Sequence, residues 1–168
     1  ALDQPSNAMP LINIEAVRDR LLAQSWVKDA EVSRRMPDTL SIRITERVPV
    51  ALWQNQGRVV LIDDMGVALQ AVDPGSYPKL PLVVGEGANQ EVTRLQAMLE
   101  GVPALKPEVA DAVWVGGRRW DLHFRTGESL ALPEGDAADR ALKLFARLDA
   151  ATGLLKRGFV RFDMRLPD

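Results

Sequence analysis

The sequence predicts an α+β fold: a helix and a β-hairpin first, then a longer, mostly antiparallel β domain with flanking helices. Three observations carry this. Apolar residues recur at helical spacing only in short stretches, two of them behind a good capping residue. Between those stretches apolar and polar residues alternate, and the alternating runs are separated by turn-forming residues. Finally, Arg47-Val48-Pro49 interrupts the pattern, because a proline drives the residue before it into extended backbone. The joint divides the chain into residues 1–48 and 49–168.

Residues 1–12 read as a loop, broken by Pro5 and Pro10. Asn13 is a good helix cap, Glu15 favours the first turn, and Ile12 can staple against Val17. Ile14, Val17, Leu21 and Leu22 share one face, so the helix runs to about Gln24. Val27, Ala30 and Val32 then begin a hairpin. Its second arm sets Leu40, Ile42 and Ile44 against Ser41, Arg43 and Thr45, the period of a half-buried strand. Met36-Pro37-Asp38-Thr39 supplies the turn.

Short strands follow at about 50–55, 58–63 and 67–71, joined at Asn55-Gln56-Gly57 and Asp64-Met65-Gly66. Leu80 to Gly85 is another strand, with Pro81 suited to its beginning or to an edge. Val92, Leu95 and Leu99 mark a short helix. Val113-Trp114-Val115, Gly116-Gly117 and Trp120-Leu122-Phe124 make a hairpin, with Asp121, His123 and Arg125 on the opposite face. Leu130 to Leu132 adds a strand. Asp136 is expected to cap a helix whose stripe is Ala138, Ala141, Leu142, Phe145 and Leu148, ending at Gly153. A last strand runs from Phe159 to Leu166, alternating Val160, Phe162, Met164 and Leu166 with polar neighbours.

Composition narrows the function classes. In 168 residues, 46% hydrophobic content is enough to build a core, as one large domain or two small ones. A net charge of -2 offers none of the basic field that nucleic acid demands. Cysteine is absent, which removes disulfides, thiolate metal sites and cysteine nucleophiles together. No apolar run approaches the roughly 20 residues that span a bilayer, and the first residues lack a signal-peptide layout. An export or anchoring element would lie outside these residues.

Candidate chemistry is sparse. His123 is the single histidine, and on a strand between Leu122 and Phe124 it faces away from the apolar side. A metal site or triad would need partners of matched geometry. Asp63-Asp64 precede a turn that uses Asp for its own backbone, and adjacent strand residues point to opposite faces. Gly116-Gly117-Arg118-Arg119 lacks the strand-loop-helix setting and spaced lysine of a phosphate loop. Arg34-Arg35 is too short a basic run to bind nucleic acid, and reads as a solvated face.

Two kinds of motif go further. The run from Trp26 to Trp53, WVKDAEVSRRMPDTLSIRITERVPVALW, resembles the FtsQ/DivIB family of bacterial division proteins, filling almost every fixed position of W-V-x-x-A-x-V-x-R-x-x-P-D-x-L-x-I-x-[IV]-x-E-x-x-P-[VI]-A-x-W. Leu61-Ile62-Asp63-Asp64-Met65-Gly66 resembles the family's strand after that run, and Leu80 to Gly85, Val115 to Leu122 and Phe162 to Asp168 resemble, in order, the alphaproteobacterial form. The similarity covers roughly residues 9–168.

The resemblance implies a POTRA domain at 1–48, lacking its first strand and helix, and an FtsQ-type β domain at 49–168, lacking its last strand. It implies a non-enzymatic scaffold of the divisome that supports septum formation and uses no cofactor. It implies FtsB and FtsL as protein partners, with other divisome proteins possible and no nucleic acid. It implies a single-pass inner-membrane protein, anchored by a helix outside this chain, with the present portion in the periplasm.

Spacing alone makes Phe162, Asp163, Met164, Arg165 and Leu166 ordinary sheet residues. The resemblance makes them the partner-binding strand, where FtsB would add a strand to an open edge. Phe162 and Leu166 would then anchor apolar groups, and Arg165 would meet a carboxylate. The alternative is a POTRA-type periplasmic module assisting outer-membrane protein assembly or secretion. That class carries further POTRA repeats or a long barrel of amphipathic strands, and no second POTRA unit appears in these residues. A third reading, a periplasmic hydrolase, would require His123 buried beside Asp or Glu in a pocket.

Overall fold

A computed structural model of the chain describes residues 12–35 and 37–166. The loop expected at 1–12 falls almost entirely outside them, as do Met36 in the hairpin turn and Pro167-Asp168. Two compact units divide between Val48 and Pro49.

The first unit is one helix and one hairpin. Helix α1 spans Ile14–Leu22, and the Asn13 side chain accepts the Ala16 N–H at 3.0 Å, satisfying one of the free donors of the first turn. Strands β1 (Val27–Arg35) and β2 (Thr39–Glu46) pair antiparallel, with Val32 opposite Ile42 and Ala30 opposite Ile44. Arg18 ties α1 to β1, donating Nε to the Ala30 carbonyl at 2.8 Å. The half-buried face expected of β2 is corrected: Ile42 and Ile44 are each 45% exposed, because α1 packs on β1.

The second unit is an 8-stranded mixed sheet. Its strands are β3 (Pro49–Asn55), β4 (Arg58–Asp63), β5 (Ala68–Ala71), β6 (Leu82–Val84), β7 (Val109–Val115), β8 (Arg119–Phe124), β9 (Ser129–Ala131) and β10 (Arg161–Asp163). They lie in the order β10-β9-β8-β7-β6-β3-β4-β5. β3–β4–β5 and β7–β8–β9 are antiparallel; β6 runs parallel to both its neighbours, and β10 runs parallel to β9. The sheet is therefore more mixed than the alternation of short strands alone suggests. A three-residue strand such as β6 carries no register signal of its own. Pro81 precedes β6 and its carbonyl accepts the Leu52 N–H at 2.9 Å, so this proline opens an interior strand rather than an edge one.

Helices α2 (Val92–Glu100) and α3 (Ala137–Thr152) cover one face. Val92, Leu95 and Leu99 of α2, Leu142 and Phe145 of α3, and Ile62, Trp120, Leu122 and Leu130 of the sheet form one core. A smaller core of Leu52, Leu61 and Leu69 lies on the opposite face under Val72, Tyr77 and Leu80. Burial on both faces is why β4 reads as the unbroken apolar run Val59-Val60-Leu61-Ile62.

Three expectations are corrected here. Asp136 holds the N-cap position of α3 but makes no side-chain cap bond. Its backbone is already helical, which aims the carboxylate away from the first turn, and it pairs with Arg94 at 2.8 Å instead. Leu148 does not join the buried stripe; it is 44% exposed, one step around the helix from Phe145. The last strand is shorter than Phe159–Leu166: β9 offers only Ser129–Ala131 to pair with, so the ladder ends at Asp163.

Candidate functional site

β10 is an edge strand. β9 lies on one side of it, and no strand lies on the other among the described residues. Ladder geometry fixes which groups face outward. The Val160 carbonyl accepts the Ser129 N–H at 3.0 Å, and the Met164 N–H donates to the Ala131 carbonyl at 2.9 Å. Phe162 pairs with Leu130 between them. Val160, Phe162 and Met164 thus spend their backbone groups on β9, while Arg161 and Asp163 direct theirs to the open edge.

Side chains alternate independently. Phe162 turns into the unit, its ring 5.0 Å from that of Phe145 in an edge-to-face contact and 5.5 Å from that of Phe159. Met164 also packs on the core. This changes the expected role of Phe162, since an aromatic ring held against buried Phe145 is not free to anchor a partner. Leu166 is free, at 83% exposed, and so is Val160, at 80%.

On the other face, Asp163 and Arg165 pair with each other. Asp163 Oδ1 accepts the Arg165 N–H at 3.1 Å and its Nε at 2.7 Å, and Oδ2 accepts Nη2. These bonds hold the Asp163 carboxyl down at about 2, and the same pairing raises Arg165. The forked guanidinium expected to meet a partner carboxylate is therefore already engaged by one of its own. Arg161 reaches Asp121 of β8 at 3.8 Å, and Asp121 also accepts from Arg119 at 3.1 Å.

β7, β9 and β10 all end at the same end of the sheet, where β8 begins. That topology gathers Arg118, Arg119, Pro133 and Glu134 around Arg165 and Leu166 in a cleft of about 530 Å³. Arg118 and Glu134 pair across it at 3.3 Å. Gly116-Gly117-Arg118-Arg119 form the hairpin turn expected of them: both glycines have positive φ, 61° and 68°. That this turn borders the C-terminal strand is a feature of the fold alone. No local signal could have shown it, because the neighbourhood is created by strand order.

The remaining candidates resolve as structure. Asp63 is fully buried and its Oδ1 accepts the N–H groups of Met65 and Val67 at 3.0 and 2.8 Å, closing the β4–β5 turn. His123 Nδ1 lies 2.7 Å from Asp111 Oδ1 across the β7–β8 pair, with its side chain 44% exposed. The hydrolase reading needed this pair buried in a pocket, and it is open to solvent. Among the described residues no group of three His, Cys, Asp or Glu side chains is placed to hold a metal, and no helix is long and apolar enough to cross a membrane.

Comparison with known proteins shows what the chain is similar to. A model described as cell division protein FtsQ/DivIB, C-terminal, matches residues 51–165, and one described as POTRA domain, FtsQ-type, matches residues 1–47. The cell division protein FtsQ of Zymomonas mobilis is 50% identical over 99% of this chain and 53% of its own length. That of Novosphingobium aromaticivorans is 48% identical over 99% of this chain and 52% of its own. That of Caulobacter vibrioides is 40% identical over 99% and 54%. The major extracytoplasmic domain of DivIB from Geobacillus stearothermophilus superposes with a TM-score of 0.44 at 15% identity, covering 65% of this chain and 96% of that one. The chain spans about half the length of the curated relatives it matches. With a family match along most of its length and relatives of up to half-identical sequence, the chain belongs to the FtsQ/DivIB family of bacterial cell division proteins.

Proposed function

We propose that this chain is the periplasmic part of a non-enzymatic divisome scaffold, held at the inner membrane by a helix outside it, and that it receives a partner strand along β10. The open edge of β10 carries the reading. Arg161 and Asp163 present backbone N–H and C=O groups with no strand to pair them among the described residues. An edge of this kind is a template for a further strand. Exposed Val160 and Leu166 flank it as apolar anchors, and the Arg165 guanidinium, held only by the solvent-open Asp163 carboxylate, can exchange that carboxylate for a partner's. FtsB and FtsL are the partners that family membership suggests, with FtsB supplying the strand. Phe162 and Met164 hold the edge from beneath; Asp163, Arg165 and Leu166 meet the partner. Domain roles follow the same division: a POTRA domain at 1–48 and an FtsQ-type β domain at 49–168.

The test is titration of a labelled periplasmic FtsB peptide into this chain and into a version continued past Asp168. Saturable binding that falls at least tenfold in Leu166→Glu and Arg165→Glu supports the dock. Binding unchanged in both variants would rule out β10 as the receiving edge.

A further inference from the structure

The geometry points to a second docking groove at the opposite end of the same sheet, one that takes an acidic protein segment carrying apolar side chains. β3, β6 and β7 run parallel, so all three begin at one end, and β8, antiparallel to β7, finishes there. The C-terminal end of α2 closes over these strand ends. The result is a groove of about 510 Å³ with Leu80, Leu99 and Val109 in its lining. The cleft at Arg165 lies at the other end of β7 and β8, so the two sites are separated by the length of the strands.

The charge around this groove is one-sided. Lys79, Lys106 and Arg125 line it, and no Asp or Glu does. That is local, because the whole chain carries a net charge of -2. Arg125 donates Nε to the Pro107 carbonyl at 3.0 Å, which fixes its guanidinium at the rim and leaves its terminal nitrogens turned to no acid among the described residues. Lys79 has no ion-pair partner among them. Lys106 reaches Glu100 at 3.7 Å, but both side chains are open to solvent, where such a pair is weak and readily exchanged. Three cations around an apolar floor fit a peptide that alternates carboxylates with aliphatic groups: the carboxylates steer and orient, and the apolar contacts hold. A scaffold with docks at both ends of one sheet can hold two partners at once. This inference does not depend on the β10 reading, since it uses no residue of that edge.

The probe is the peptide acetyl-Glu-Glu-Leu-Glu-Glu-Leu-amide, titrated into the 15N-labelled chain, with the Gln-for-Glu peptide as control. Saturable amide shifts centred on Lys79, Leu80, Lys106, Val109 and Arg125 are expected for the acidic peptide alone. They should weaken about tenfold or more in Lys79→Glu/Lys106→Glu/Arg125→Glu, with an unchanged spectrum at β10. All three positions are exposed, so the variant is expected to keep its fold, and Lys79→Gln/Arg125→Gln gives a milder second variant with the same expected direction. Equal shifts with the Gln peptide, shifts confined to β10, or binding of anionic vesicles with none of the peptide would each overturn the proposal.

Discussion

Asn89 donates Nδ2 to the Gly66 carbonyl at 2.9 Å, and a Cβ built on Gly66 would stand 2.0 Å from the Asn89 carbonyl oxygen. The β4–β5 turn is thus pressed against the start of α2, backbone to backbone. Thr93 adds a hydroxyl bond to the Asp64 carbonyl.

Gly66→Ala should therefore be costly twice over. Gly66 has φ +75, where an L side chain is strained, and the added methyl meets backbone that cannot swing away. We expect a loss of roughly 2–5 kcal/mol in denaturant unfolding. Gly57 is the control: its φ is +77, but nothing lies within 4 Å of its Cβ position. Gly57→Ala should lose only about 1–2 kcal/mol. Equal losses would show that the close approach to Asn89 contributes nothing.

Asp63 makes the same turn from within. Its Oδ1 accepts two backbone N–H groups in a fully buried position. Asp63→Ala leaves both donors without their acceptor, at an expected cost of about 2–4 kcal/mol. Asp63→Asn keeps an oxygen in place and should recover part of that stability. Thermal unfolding of the two variants checks the order. An alanine variant as stable as the asparagine one would remove the turn from the account of the fold.

The Asp63 turn was legible in the sequence because its chemistry is local: an Asp, a glycine three residues on, and strands either side. So were the Asn13 cap and the Gly116-Gly117 hairpin. Asp136 was misread because capping depends on backbone torsion, and a competing cation, Arg94, arrives from another helix 42 residues away in sequence. The parallel placement of β6 and β10 was not legible either. Neighbours in a parallel ladder are set by crossover connections, and nothing in a three-residue strand names its partner. For the candidate site, family resemblance nominates the residues of the C-terminal strand, but which of their side chains turn inward is set by tertiary packing that it does not show. Phe162 lies on the inward face of β10 with Met164, and there it meets Phe145 of α3.

Asp163 and Arg165 make a titration that can be followed directly. The carboxyl is held at about 2, below its ordinary value of 3.8, first by the Arg165 side-chain bonds and then by the Arg165 N–H. A folded-state value below the unfolded one means the pairing stabilises the fold above about pH 4, and this contribution fades as pH falls through 2. Both side chains are open to solvent, so the effect on global stability is small. NMR titration of the Asp163 carboxyl carbon should show a midpoint near 2. Arg165→Gln should move it toward 3.8, and a midpoint that stays put would assign the shift to some other group.

Phe145 links α3 to the edge strand. It is 1% exposed, meets Phe162 edge-to-face at 5.0 Å, and stacks on Phe124 of β8 at 5.8 Å. Phe145→Ala should cost about 3–5 kcal/mol, the range for emptying an aromatic site in a core. A gentler pair isolates the link: Phe145→Leu and Phe162→Leu, singly and together, should show a coupling of about 0.5–1.5 kcal/mol. Because β10 has a ladder on one side only among the described residues, losing its aromatic anchor should free it locally before the unit unfolds. Amide exchange at Phe162 and Met164, whose N–H groups face β9, should accelerate in Phe162→Leu more than exchange at Leu122 in the sheet interior. Uniform acceleration across both strands would mean that β10 opens only with the whole sheet. A partner strand would then dock on an edge that is rigid beforehand, and the Phe145–Phe162 contact would have no part in tuning its affinity.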